Sequence, residues 1–417
     1  MNVSKVIGSV LILVGTSIGA GILALPMVSA SSGFLMSLML MIGIWVLMTL
    51  TALLALEVNL ACPDHANGFS AMAYKTLGGL GKIVTWIALL FLSYALLAAY
   101  ASGATVLLKS LLDTSLNINS PSNLSAILFV CILGGAVFWS TAAVDYTNRF
   151  FIAIKALLLI ASIVLLMPQV DFTNVIGYSG LHSGKYLGVA APIFLCAFGF
   201  HTTIPSLRLY MGDKRKELRL IVICATTIPL MVYLLWLLGT LGVVPLHGDG
   251  NGSANFVAIN TGGSSVDGLI AAIATIVNNK WVVAAIKGFS NISMTTSFLG
   301  VSLGLFDFLA DGCRIANSRW GRFQTALLTF LLPLIFALYY PKGFIIALGY
   351  AAIFEAILVV ILPALMAYKL RAQDATILTI SGNKILFNKF ILISAVALGI
   401  GFILLQIMSS MNLLPQL

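Results

Sequence analysis

The sequence predicts an all-α membrane protein with eleven transmembrane helices, and three observations carry that expectation. Of the 417 residues, 60% are hydrophobic and 8% charged, where a soluble domain carries about a quarter charged. A soluble fold keeps surface exposed at any size, so it cannot hide this much apolar chain. Apolar runs long enough to cross a bilayer, about 20 residues each, recur from end to end. The basic residues, finally, fall mostly between alternate runs.

The runs are 5–31, 33–61, 83–112, 124–145, 149–168, 187–211, 218–244, 281–308, 321–341, 343–368 and 388–411. From Val6 to Ala30 the first is too long for a signal h-region, and no convincing small-residue cleavage site follows it. It is expected to stay as a span. One further run, 266–277, is too short to cross at about 1.5 Å per residue. Gly, Ser and Asn flank it, so it is expected to lie as a short helix within an outer segment, 248–279, suited to act as a lid.

With the N-terminus in the cytoplasm, seventeen of the 22 Lys and Arg fall inside; Lys109, Lys185, Lys280, Lys287 and Lys342 fall outside. That is the bias expected of an inserted protein. Making 266–277 a span would move Arg314, Arg319 and Arg322 outside and spoil it. The net charge of +9 therefore reads as orientation. No basic patch with interleaved aromatics speaks for nucleic acid. The lipid bilayer is the expected partner, and no obligate protein partner is evident. The five cysteines are scattered without a CxxC, and His65, His182, His201 and His247 stand apart, so no metal site is expected. A metalloenzyme would need a ligand cluster such as HExxH. A sensor would usually add a soluble domain, for which no loop is long enough.

Two spans carry unusual chemistry at mid-depth. The first contains Gly15-Thr16-Ser17-Ile18-Gly19-Ala20-Gly21, the sixth Phe198-Gly199-Phe200-His201-Thr202-Thr203-Ile204-Pro205-Ser206. Gly permits unwound backbone, and unwinding frees N–H and C=O groups inside the membrane. Freed N–H groups that open a second half-helix attract a carboxylate; freed carbonyls that close the first attract an ammonium or a cation. Taken alone, Gly15-x-x-x-Gly19 reads equally well as a packing face in an unbroken helix. The matching interruption in the sixth span favours a site. If spans 1–5 and 6–10 form two halves, their odd number makes the halves inverted, and paired interruptions are the best sequence pointer to a transporter's binding site.

Ionisable residues within spans are functional candidates. His201 sits beside the second interruption. Lys155 lies six residues from Arg149 into the fifth span, about 9 Å of helix. It reads equally as a snorkelling side chain and as an ammonium paired with carbonyls of the first span. Glu355, twelve residues into the tenth span, is a proton carrier or a protonated acid in a helix interface. Glu57, near the cytoplasmic end of the second span, is expected to have a structural partner. The small polar residues of the eighth span, Asn291 and Ser297 among them, suit close packing and could also face a substrate.

Three stretches then resemble the hydroxy and aromatic amino acid permeases of bacteria, the tyrosine- and tryptophan-specific transporters of the amino acid–polyamine–organocation superfamily. They are Val14 to Pro26 (VGTSIGAGILALP), Phe198 to Leu207 (FGFHTTIPSL) and Thr296 to Asp311 (TSFLGVSLGLFDFLAD). Weaker echoes lie at Leu56–Leu60, Ala143–Arg149 and Ala347–Tyr350. The resemblance implies a LeuT-type 5+5 inverted repeat with broken helices 1 and 6, in one transporter domain over 1–417. The repeats would run over about 5–168 and 187–370, with an eleventh helix at 388–411. It implies proton-driven import of an aromatic amino acid, tyrosine first and tryptophan next, at a bacterial inner membrane, with no bound cofactor.

The resemblance carries over Gly15, Thr16, Gly19 and Gly21 from the first span, and Gly199, Phe200 and His201 from the sixth, as the substrate cradle. Ser17, Ile18, Ala20, Phe198, Thr202 and Asn291 are expected to complete it, with Tyr94 packing on the substrate. Lys155 resembles the span-five Lys that stands where sodium-coupled relatives bind a cation. Lys155 and Glu355 are the two candidates for proton coupling. The alternative is a sodium-coupled transporter of another small neutral amino acid, against which an ammonium at Lys155 would repel the ion.

Overall fold

A computed structural model describes residues 3–62, 68–115, 121–177, 183–247, 254–263, 265–373 and 386–415. His65, His182 and Lys384, and part of the expected lid segment, lie outside the described residues. Among the described residues there are helices and no strands. That is what lipid demands, because a helix satisfies its backbone polar groups within one segment. Ten helical stretches are long and apolar enough to cross a membrane. Their outward faces carry side chains such as Ile42, Leu332, Ile393 and Leu404, all exposed. So much outward apolar surface belongs in lipid, and the chain is a multi-pass membrane protein.

The helices are α1 (Val3–Ser17), α2 (Leu25–Ser29), α3 (Phe34–Ala61), α4 (Phe69–Ser115), α5 (Ser122–Trp139), α6 (Thr141–Leu166), α7 (Phe172–Gly177), α8 (Leu187–Ala197), α9 (Ile204–Met211) and α10 (Arg215–Val243). Then follow α11 (Phe256–Thr261), α12 (Val266–Val277), α13 (Lys280–Gly312), α14 (Arg319–Tyr339), α15 (Phe344–Glu355), α16 (Leu362–Gln373) and α17 (Lys389–Ser410).

Several boundaries differ from the sequence expectation. The first apolar run lies in pieces. After α1, Gly19 is extended (φ −95°, ψ −158°), and a short 3₁₀ turn over Ala20–Leu23 leads into α2. The sixth run is divided likewise into α8, a 3₁₀ turn at His201–Thr203 and α9. Pro26 and Pro205 each sit in the first turn of the second piece, where a missing N–H costs nothing. The junction between the fourth and fifth runs is one extended residue, Ser140. The polar Asp145–Arg149 stretch that suggested a loop belongs to the first turns of α6. In α4, Gly78 holds φ +76°, ψ −158° and kinks the helix, which is continuous only from there to Ser115. α12 matches the short run expected at 266–277.

Polar bonds between helices fall into two sets. One ties α3, α9 and α10. Thr49 Oγ1 donates to Thr226 Oγ1 over 2.9 Å. Glu57, 2% exposed, accepts from Arg219 Nε at 2.7 Å and Nη2 at 2.6 Å, with Arg215 Nε 3.7 Å away. Arg208 donates to the carbonyls of Asn59 and Cys62. The second set ties α4, α5 and α14: Arg322 Nη2 donates to Val137 O (3.0 Å) and Phe138 O (2.7 Å), and Tyr94 Oη to Leu328 O (2.9 Å). The site lies where the two sets meet.

Candidate functional site

Both interrupted stretches face one cavity of about 310 Å³, at the small-molecule end of the ligand-pocket range. Its polar end is formed by Thr16, Ser17, Gly19 and Gly21 from the first stretch, and Ala197, Gly199 and Thr202 from the sixth. Leu89, Leu92 and Leu96 of α4 and Val301 and Phe308 of α13 line its apolar length, with Phe200 between. Successive turns of α4 from Tyr100 to Leu89 run toward the N-terminal end of that helix, so the cavity extends toward that end of α4.

Four side chains fix the unwound backbone. Lys155 Nζ, on a side chain 4% exposed, donates to Ile18 O at 2.8 Å. Of its two sequence readings, the ammonium turned inward holds and the snorkelling one fails. Tyr233 of α10 is fully buried, and its hydroxyl stands 2.8 Å from Ser17 O and 2.6 Å from Ala197 O. One phenol thus bridges the two interruptions. Ser297 Oγ accepts from Ala20 N–H at 2.9 Å. Thr203 Oγ1 donates to Phe200 O at 2.6 Å. A Cβ on Gly19 would meet Ser297 Oγ at 3.2 Å and Tyr100 Oη at 3.9 Å, so small size there keeps the first stretch close to α13 and α4.

The sequence-predicted residues divide. Thr16, Ser17, Gly19, Gly21, Gly199, Phe200, Thr202 and Glu355 border the cavity. Ile18 and Ala20 take part through backbone bonds to Lys155 and Ser297. Gly15 does not border the cavity: a Cβ there would point at Ile152 of α6. Phe198 packs edge-on against Tyr233, ring centroids 5.2 Å apart. His201 points away from the cavity, its Nε2 3.0 Å from Thr51 Oγ1 of α3 and its Nδ1 buried without a partner. The turn carries Phe200 and Thr202 inward and the ring between them outward.

Tyr94 is also corrected. Its hydroxyl bonds α14, and its ring lines a separate groove with Phe336 and Phe354. Tyr100, six residues on, faces the cavity instead. Six residues turn a helix by about 240° net, so depth alone could not choose between them. The same rotation separates Asn291, which donates to Lys287 O of its own helix at 2.8 Å, from Ser297, which reaches the site. Tyr233 was missed altogether. The available signal was a phenol in mid-span, whose hydroxyl needs a buried partner. Among the described residues no three His, Cys, Asp or Glu side chains gather to hold a metal ion.

This geometry meets clear relatives. The model of the tryptophan/tyrosine permease family matches residues 2–412. The chain belongs to that family. It is a family of permeases, not of enzymes. The chain is 37% identical to the tyrosine-specific transport system 1 of Haemophilus influenzae, over 90% of each chain. It is 34% identical to tyrosine-specific transport system 2 of the same organism, over 99% and 98%. To the tryptophan-specific transport protein of Pseudomonas aeruginosa it is 35% identical, over 87% and 86%. A crystal structure of a manganese transporter mutant from Eremococcus coleocola shares the fold, with a TM-score of 0.55 at 15% identity over 96% of this chain and 85% of that one.

Proposed function

We propose that this permease imports an aromatic amino acid, tyrosine or tryptophan, together with a proton, by alternating access at a bacterial inner membrane. The cavity at the two interrupted stretches carries the proposal. It joins unwound backbone, suited to a zwitterion, to an apolar length suited to a ring. The relatives' tyrosine and tryptophan specificities support the substrate class.

In this reading the pieces from Val3 to Ser29 cross together as an eleventh span, with the N-terminus in the cytoplasm. Spans one to five and six to ten, about 5–168 and 187–370, form a LeuT-type inverted repeat in a single domain, with α17 outside it. The fold shared with a manganese transporter supports this architecture. Backbone near Gly19 and Gly21, with the Tyr100 hydroxyl, receives the substrate carboxylate. Carbonyls of the stretch from Phe198 to Thr202, between α8 and α9, receive the ammonium, and the ring lies along Leu92, Leu96 and Phe200. The helices tied by Glu57, Thr49 and Arg208 rock as one body against the set tied by Arg322 and Tyr94. Lys155 and Glu355 are the ionisable groups at the meeting point.

Sodium coupling is disfavoured, because the ammonium of Lys155 already occupies Ile18 O and would repel a cation beside it. The test is uptake of labelled tyrosine and tryptophan into liposomes holding the purified protein, under an inward proton gradient or an inward sodium gradient. Proton-driven uptake, blocked by aromatic amino acids and not by leucine, is expected. Uptake driven by sodium alone would end the coupling assignment; uptake blocked by leucine alone would end the substrate assignment.

A further inference from the structure

We infer that Glu355 is the proton-carrying group of the transport cycle and that Lys155 is a fixed charge. The inference rests on the symport reading above and divides labour between its two ionisable groups.

Four observations place Glu355. Its side chain is 5% exposed, and what is exposed borders the substrate cavity. Its carboxyl lies directly against the bare Cα of Gly199: a Cβ there would overlap Oε1 and stand 2.9 Å from the carboxyl carbon. No ion pair or hydrogen bond of Glu355 exists among the described residues. The helix widens into a π-helical turn over Ala356–Ile361 immediately after it, a rare geometry that recurs at functional positions. Pro363, just beyond, removes a backbone donor and favours such a distortion.

The surroundings hold no compensating charge. Tyr100 of α4 and Cys196 of α8 are the titratable side chains in electrostatic range that border the same cavity. His201, on the packed 3₁₀ turn, is directed to Thr51. Lys155 lies at the first interruption, held by Ile18 O, and does not border the cavity. An isolated carboxylate with no cation in contact is costly inside a membrane protein. A substrate that fills the cavity takes away the water bordering Glu355, which an ionised carboxylate needs and a neutral acid does not, while the substrate ammonium is taken by carbonyls of the sixth stretch.

The coupling follows from that difference. The Glu355 carboxylate takes one proton from solution, becoming a neutral acid. The amino acid then binds, and both are carried. On the other face the proton leaves to water with the substrate. Lys155 keeps its proton throughout: its buried ammonium is held on Ile18 O and does not border the cavity, so no water reaches it there to take the proton.

The test uses the full-length protein in liposomes and reads three quantities: exchange of labelled tyrosine or tryptophan without a gradient, proton influx driven by the amino acid, and the pH dependence of exchange. In the native protein, exchange should weaken as pH rises. Glu355→Gln imitates the neutral acid. It should exchange at a reduced rate, down by up to about tenfold, with a flat pH profile and with amino-acid-driven proton influx lost. Glu355→Asp should restore part of the pH dependence. Proton influx at the native level in Glu355→Gln overturns the inference. So does complete loss of exchange in a variant that inserts and elutes normally, since that marks an ionised Glu355 holding the substrate ammonium. If the native protein exchanges neither amino acid, the transport reading itself fails, whatever the variants do.

Discussion

Tyr233 offers the sharpest test of how the two interruptions are held together. Its hydroxyl reaches both Ser17 O (2.8 Å) and Ala197 O (2.6 Å), yet a phenol has one proton and donates to one carbonyl at a time. Tyr233→Phe therefore removes one hydrogen bond and leaves one more acceptor unsatisfied at any moment. Such a loss costs about 1–3 kcal/mol when the acceptor is buried. Both carbonyls belong to residues that border the cavity, where water can replace the phenol, so the lower half of that range applies. At 1.4 kcal/mol per factor of ten, about 1–1.5 kcal/mol is roughly a five- to twelvefold change. The ring itself, and its edge-on contact with Phe198, survive the substitution, so insertion should be normal. The loss should appear in substrate affinity, because the bridge sets the spacing of the two halves of the cradle. Binding of labelled tyrosine or tryptophan to purified protein measures it. An affinity within twofold of native refutes the bridge; a loss beyond about a hundredfold refutes it differently, by making the hydroxyl a substrate contact.

Three further outcomes follow from the same geometry. Gly199→Val places a branched side chain into the Glu355 carboxyl; uptake should fall more than about tenfold while the protein still inserts, measured by uptake against surface-labelled protein. Glu57→Ala leaves Arg219 and Arg215 facing a vacated buried site; with both guanidiniums about a quarter exposed, the loss should be about 2–3 kcal/mol, below the fully buried case, seen as a lower Tm in detergent. Tyr94→Phe should leave uptake and substrate preference within about twofold, since its hydroxyl bonds Leu328 O away from the cavity; a marked change in uptake would return Tyr94 to the site.

What the sequence made legible was whatever depends on composition along the axis. Lipid as solvent, the short run at 266–277 and the two stretches with Gly and Pro at mid-depth are one-dimensional signals, and the helices follow them. Facing is a different matter. A helix turns about 100° per residue, so two candidates at similar depth can point to opposite sides, as Tyr94 and Tyr100 do, and Asn291 and Ser297. In unwound backbone even that rule lapses. Phe200 and Thr202 face the cavity while His201 between them bonds Thr51. Boundaries failed where polarity was mistaken for a loop: Asp145 to Arg149 looked like a connection, yet the chain turns at Ser140 and α6 has already begun.

The bonds at the first interruption explain why its glycines are not interchangeable. A methyl group added to Gly15 would stand 3.6 Å from Ile152, an ordinary contact that the site would tolerate. Gly19 sits where the chain leaves helical geometry, one residue after the carbonyl held by Lys155 and one before the N–H held by Ser297. Both bonds run from the first stretch, one to α6 and one to α13. Gly242 O at the end of α10 accepts from Asp171 N–H (2.9 Å) and Asn174 Nδ2 (3.1 Å), so α10 is also clasped to the segment that follows α6. The cavity extends past Leu89 and Phe308. In the proposed rocking motion the Gly242 bonds would have to break for α10 to part from the segment after α6, while the Lys155 and Ser297 bonds, beside the cavity, would move less. At the first interruption the two bonds reach backbone groups on either side of Gly19 that an unbroken helix would have kept for its own ladder.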